Sequence, residues 1–286
     1  MLNIKNLYLE LKVAMKALEN AAKKIKRDLL ELKNIQISSK ITFNFIGKID
    51  LKIEDQIIKT LQLHRPNYSI FSKERGFLQS IKKSQSKIKY HWIIDPIDGI
   101  FNCMHAIPFF CISIALVEIN HKSIKTVIGI VFNPSTNEVF YALDKIGAFS
   151  HDINQQTKRT RMRLAQLNNF ENFLCIINKK GIYKDQIINN YLYYLNSIYD
   201  SLKNATFRKL GSLALELSYL ADGRINFVIQ SKANICSYIA AALIIKEAKG
   251  KILNLNFNKI NMNAHYSSII AGDSRFLSNL KILIYV

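Results

Sequence analysis

Two carboxylates three residues apart, in Trp92-Ile93-Ile94-Asp95-Pro96-Ile97-Asp98-Gly99, are the side chains best placed to do chemistry. An apolar run leads into them, so the spacing predicts a buried strand ending in a tight turn that carries both acids. Close acidic oxygens on a rigid turn suit a hard cation such as Mg²⁺, which takes oxygen ligands and leaves positions for a substrate phosphate. Pro96 sets φ and Gly99 lets backbone approach closely. The same residue types also make an ordinary strand-ending turn, so the rest of the chain must decide between the two readings.

The elements that would position this pair are legible in outline. Leu7, Leu11, Ala14, Leu18, Ala21 and Ile25 recur at helical spacing and predict one long amphipathic helix over about 3–33. A second helix is expected after Asp50, with Ile53, Ile57, Ile58 and Leu61 inward and Pro66 beyond its end. A short strand from Tyr68 to Ser72 and a polar connection through Lys89 precede the strand Tyr90 to Ile94. Phe109–Ile119, Lys125–Phe132 and Glu138–Ala142 read as antiparallel strands. The second half alternates. Strands near 173–177, 206–209, 226–229, 252–255 and 268–271 are interleaved with helices near 183–202, 213–221 and 238–248. That order means sheets flanked by helix layers.

Composition narrows the classes. With 286 residues and 49% hydrophobic content, the chain can bury a substantial core, and 10 Gly with 4 Pro leave little room for long linkers. The four cysteines, Cys103, Cys111, Cys175 and Cys236, lack CxxC spacing and sit in apolar surroundings, so buried free thiols in a reducing cytoplasm are expected. No signal-type apolar region opens the chain, and no apolar run reaches about 18 residues, the length needed to span a membrane. The net charge of +19 attracts anions. Its lysines are spread along the chain, and the densest basic run, 158–163, lacks interleaved aromatics. A diffuse basic surface is therefore the simplest reading. His91, His105 and Cys236 read as structural, having no placed catalytic partner.

In order along the chain, the first helix, Asp50 to Glu54, Trp92 to Gly99, Asn133-Pro134 with Asn137-Glu138, Gly211-Ser212 and Tyr238 to Gly250 resemble the inositol monophosphatase family of Mg²⁺-dependent phosphatases. The resemblance implies an α/β fold, a layered α/β/α/β/α sandwich. It is expected as one domain with an N-terminal α+β lobe over about 1–150 and a C-terminal α/β lobe over about 151–286. It implies a homodimer, and a hydrolase acting on inositol monophosphate or a similar small phosphorylated metabolite. By the same resemblance Asp95, Asp98 and the Ile97 carbonyl correspond to metal ligands, and Asp98, Gly99 and Ile100 to positions that contact substrate. Asp50 corresponds to the aspartate that holds a catalytic threonine hydroxyl.

Several matched positions depart from the family pattern. The threonine that orients the attacking water is Ile100 here, which keeps the backbone N–H but loses the hydroxyl. The metal-binding Glu on the strand before the acidic turn becomes Lys73, followed by Glu74, and a one-residue slip would restore Glu74 as a ligand. The second-half aspartate ligand becomes Ser237, and the substrate-binding glutamate becomes Gln230. An ammonium in place of a carboxylate opposes metal binding, because unit charges about 4 Å apart interact by about 4 kcal/mol at an effective dielectric of 20. Three functions remain open: a Mg²⁺-dependent phosphatase; a non-catalytic binder of a phosphorylated ligand, with Lys73 supplying the charge; and a scaffold for RNA or the transcription machinery, a role some bacterial members of this family hold.

Overall fold

The computed structural model describes residues 2–35, 39–83, 86–120, 123–155, 157–165, 173–178 and 205–285. Helices α1 (Ile4–Ile35) and α2 (Ser39–His64) come first, then strands β1 (Ser69–Ser72), β2 (Gly76–Leu78) and β3 (Lys89–Asp98). The short helix α3 (Ile100–Met104) follows, then β4 (Cys111–Asn120), β5 (Ser123–Asn133), β6 (Glu138–Leu143), β7 (Gly147–Asp152) and β8 (Thr160–Arg161). Beyond them lie β9 (Leu174–Asn178), β10 (Thr206–Arg208), α4 (Leu213–Ala221), β11 (Phe227–Asn234) and α5 (Ile235–Glu247). The last are β12 (Lys251–Leu253), β13 (Tyr266–Gly272) and α6 (Ser274–Tyr285).

Among the described residues the strands form two sheets, one of eight strands in the order β2-β1-β3-β4-β5-β6-β7-β8 and one of five in the order β10-β9-β11-β13-β12. Alternation along the strands sorts their side chains between three cores. Trp92, Ile94, Ile112, Ile114, Val139 and Tyr141 face α1 and α2. Ile93, Cys111, Ala115, Phe140 and Ala142 face the opposite way, onto α4 and α5. The second sheet covers those helices with Val228, Ile269 and Ala271, while Phe227, Ile229 and Ile270 meet Phe276, Leu277 and Leu280 of α6 on its far side. The result is helix, sheet, helix, sheet, helix, the layering expected of strands buried on both faces.

The differences from the sequence reading have physical causes. α2 begins at Ser39 rather than near Asp50. The run Ile41-Thr42-Phe43 has strand-like composition, but helix propagation back from the packed residues Ile49, Ile53 and Ile57 prevails over that local preference. β2 and β7 lack the apolar runs by which strands are recognised, and β2 exists because β1 pairs with it antiparallel; α6, which the sequence reading missed, carries Phe276, Leu277 and Leu280 at helical spacing. The helix expected near 183–202 lies outside the described residues. Asp95 and Asp98 do not sit on a turn beyond the strand; β3 runs through both, and the chain turns at Gly99.

Candidate functional site

Residues three apart on a regular strand point to opposite faces. The pairing of β3 with β4 shifts register between Asp95 and Asp98, and this irregularity turns both carboxylates toward the middle helix layer while Ile97 stays in the core against α1 and α2. Gly99 then takes φ 91°. A side chain there would bring its Cβ to 3.0 Å from Ser212 Cβ and 3.1 Å from the Phe109 carbonyl oxygen, so both the backbone and the space require glycine.

Register also decides which residue of Lys73-Glu74 meets the acids. β1 runs parallel to β3 with Ser72 opposite Ile94, and the Lys73 amide donates to the Ile94 carbonyl at 3.1 Å. One step further along, Lys73 lies beside Asp95. Its Nζ is 2.9 Å from Asp95 Oδ1 and 3.0 Å from Oδ2. Ser237, in the first turn of α5, donates its hydroxyl to the same Oδ2 at 2.6 Å. Three hydrogen bonds from two groups therefore take three of the roughly four acceptor positions of a carboxylate with no solvent exposure. For Lys73, burial favours the neutral amine, but Asp95, Asp98 and Asp50 outweigh it and hold the ammonium above its ordinary value.

Asp98 is held from the other side. Its Oδ2 accepts from the Ser212 hydroxyl at 2.7 Å and from the Ala214 amide at 2.9 Å, at the start of α4. Burial and the charge of Asp95 push its carboxyl up, against the pull of Lys73 and those donors. Glu216, a single charge in an otherwise apolar helix, accepts from the Leu210 and Gly211 amides at 3.1 and 2.8 Å and so shapes the loop that delivers Ser212. Burial raises Glu216 to about 7. Sequence reasoning missed it; a lone acid inside the run Leu213-Ala214-Leu215-Glu216-Leu217 was the available signal.

Two buried acids of α2 complete the surroundings. Glu54 accepts the Ser72 hydroxyl and the amides of Glu74 and Arg75, the amides at 3.3 and 3.2 Å, which fixes the turn carrying Lys73. Asp50 is 4% exposed, and its Oδ1 has no hydrogen-bond partner among the described residues. Burial above all, then the charges of Asp95 and Glu74, raise it to about 8. Glu74 is an exposed residue. Ile100 packs its side chain on the α1–α2 core. Gln230 is buried on β11 and donates to the Lys232 carbonyl at 2.8 Å. No hydrogen bond among the described residues joins Gln230 to the acid cluster.

Comparison with known proteins fits this geometry. The family model described as "Inositol monophosphatase family" matches residues 8–281. The chain belongs to the inositol monophosphatase family. An inositol-1-monophosphatase of Caulobacter vibrioides is 29% identical over 242 residues, covering 85% of this chain and 88% of that one. The Nus factor SuhB of Escherichia coli is 26% identical over 265 residues, covering 93% and 91%. The solved extragenic suppressor protein suhB of Bartonella henselae shares the fold with a TM-score of 0.77 at 24% identity, over 97% of this chain and 100% of that one.

Inositol monophosphatases are in general metal-dependent, which makes the donor set of this member the relevant test. Mg²⁺ needs oxygen lone pairs in near-octahedral array and dehydrates reluctantly. Here the lone pairs of Asp95 face an ammonium and a hydroxyl donor, and Asp98 Oδ2 is occupied by two donors. Among the described residues no three His, Cys, Asp or Glu side chains converge to hold a metal. The residues present do not fit the family's magnesium site.

Proposed function

We propose that this chain is an inositol monophosphatase-family protein in which Mg²⁺-dependent hydrolysis of a small phosphomonoester has been lost, and whose retained role is that of a binding scaffold. The observation that carries this reading is the Lys73 ammonium, 2.9 and 3.0 Å from the two oxygens of Asp95. It supplies internally the positive charge that buried carboxylates otherwise need from a cation. Ile100 supports the reading. The family pattern pairs a threonine there with the aspartate that Asp50 matches, and Asp50 Oδ1 has no hydrogen-bond partner among the described residues.

The geometry weighs against Lys73 as a phosphate receptor. Its charge is committed to Asp95, Glu54 is paired with Arg75 at 3.3 Å, and Asp98 remains as an acid with no cation of its own. An anion entering this site meets more negative charge than positive. Partnership with the transcription machinery is favoured instead by two observations: the +19 net charge and the relatives named Nus factor SuhB. On that reading RNA binds with an affinity that falls steeply with salt, and flat salt dependence or no binding removes the RNA role. The family's dimeric state is carried over as part of the proposal and is read directly by light scattering.

The deciding experiment measures phosphate release from inositol 1-phosphate across a Mg²⁺ titration. The chain is run beside a Lys73→Glu, Ile100→Thr, Ser237→Asp variant. The expectation is no turnover by the unmodified chain and measurable turnover by the triple variant. Mg²⁺-dependent turnover by the unmodified chain overturns the proposal.

A further inference from the structure

α5 serves two places at once. Ser237 faces the acids, while Tyr238, Ala242 and Lys246, one helical stripe further round, line a separate cavity of about 390 Å³. β5, α5, β12 and the segment carrying Ile260 and Met262 enclose it, and none of Asp50, Lys73, Asp95 or Asp98 borders it. Its volume falls within the range of about 300–1,000 Å³ typical of small-molecule sites.

Two features mark it as more than a packing gap. Its walls are apolar, with Ala242, Ile252, Ile260 and Met262 packed on the edge of the middle core. The rim is cationic and only partly neutralised. Lys125 and Lys246 both pair with Asp144, at 2.5 and 3.0 Å. Lys251 and Lys259 border the same cavity as exposed residues without a carboxylate partner among the described residues.

We infer that this cavity binds a medium-chain carboxylate, its apolar chain against Ala242, Ile252, Ile260 and Met262 and its head group at Lys251 and Lys259. Apolar walls alone would accept a neutral hydrocarbon, and rim lysines alone would accept any anion. Their juxtaposition selects a molecule that has both parts. The site is independent of whether the acid cluster hydrolyses anything.

Calorimetric titration of the full chain with decanoate, decan-1-ol and acetate tests it. Decanoate is expected to bind saturably at one molecule per chain. Decan-1-ol should bind at least about tenfold more weakly for want of the ionic contacts, and acetate not measurably. Ala242→Trp fills the cavity and should abolish decanoate binding. Lys251→Glu combined with Lys259→Glu, both at exposed positions, should weaken decanoate about tenfold or more and leave decan-1-ol unchanged. Absence of saturable decanoate binding, equal affinity for decan-1-ol, or decanoate affinity unchanged by the paired charge reversal each overturns the inference.

Discussion

Lys73→Met keeps the length of the side chain and removes its charge, so it isolates what the ammonium does for Asp95. Asp95 is completely buried. Its carboxylate accepts two hydrogen bonds from Lys73, at 2.9 and 3.0 Å, and one from Ser237 at 2.6 Å. The substitution removes both charged donors and leaves one neutral hydroxyl. Breaking a buried ion pair from one side costs about 3–5 kcal/mol. Lys73 retains 25% side-chain exposure, which places the expected loss near the lower bound, about 3 kcal/mol. At about 2–4 °C per kcal/mol for chains approaching this size, the melting temperature should fall by about 6–12 °C. Trp92 is the only tryptophan and is fully buried, so its fluorescence reports the transition. The sign with pH follows from the raised lysine: the stabilisation is fully present at neutral pH and is lost only as pH rises through the folded-state value, above the ordinary lysine range. Lys73→Met combined with Asp95→Leu removes both charges and should recover most of the loss. A fall of less than about 2 °C, the behaviour of an exposed ion pair, would refute the reasoning. So would a wild-type melting temperature that drops on adding EDTA, because a metal would then be neutralising Asp95.

Two further outcomes follow from the same cores. Asp50 is raised from 3.8 to about 8, chiefly by burial, so its effect on stability is absent below pH 4 and grows unfavourable as pH rises toward 8. Asp50→Asn should therefore stabilise the fold by up to about 5 kcal/mol in urea denaturation at pH 8, roughly four pH units at about 1.36 kcal/mol each, and an equal gain at pH 4.5 would show that charge is not the cause. Gly129 lies where β5 crosses α5, and a Cβ there would collide with the Ala240 carbonyl oxygen. Gly129→Ala should cost about 3 kcal/mol through forced separation of helix and sheet, and an unchanged melting temperature would place those elements farther apart than described.

If the metal site has been lost as proposed, the fold need not have loosened. In a metal-dependent relative, several buried acids are compatible because a cation sits among them. Here Lys73 on Asp95, Ser212 and the Ala214 amide on Asp98, and Ser72 with two backbone amides on Glu54 take that part. Asp50 stands apart, with an oxygen unpaired and a carboxyl raised to about 8. On the proposed reading an active-site scaffold outlives its reaction because its buried acids either find protein partners or, like Asp50, are held protonated.

The sequence by itself determined the family, the layered α/β class and the pairing of Asp95 with Asp98 at the end of one strand. Those rest on local matters: the stripe from Leu7 to Ile25, the alternation that sends Trp92 and Ile93 to different cores, and Asp95-Pro96-Ile97-Asp98-Gly99 with its need for a left-handed residue at Gly99. It also showed that Ile100 and Ser237 cannot act as threonine and aspartate do. Tertiary structure alone decided which residue confronts Asp95, because strand register is a long-range property and a one-residue slip reverses every side chain. The parallel pairing of Ser72 with Ile94 brought Lys73 to the acid. A register shift inside β3 put Asp95 and Asp98 on one face, where a regular strand would have parted them. The distances that separate a phosphatase site from a lysine-neutralised one belong to pairs as far apart in sequence as Asp95 and Ser237. No local pattern encodes such distances, because they are set only when two sheets close on the helices between them.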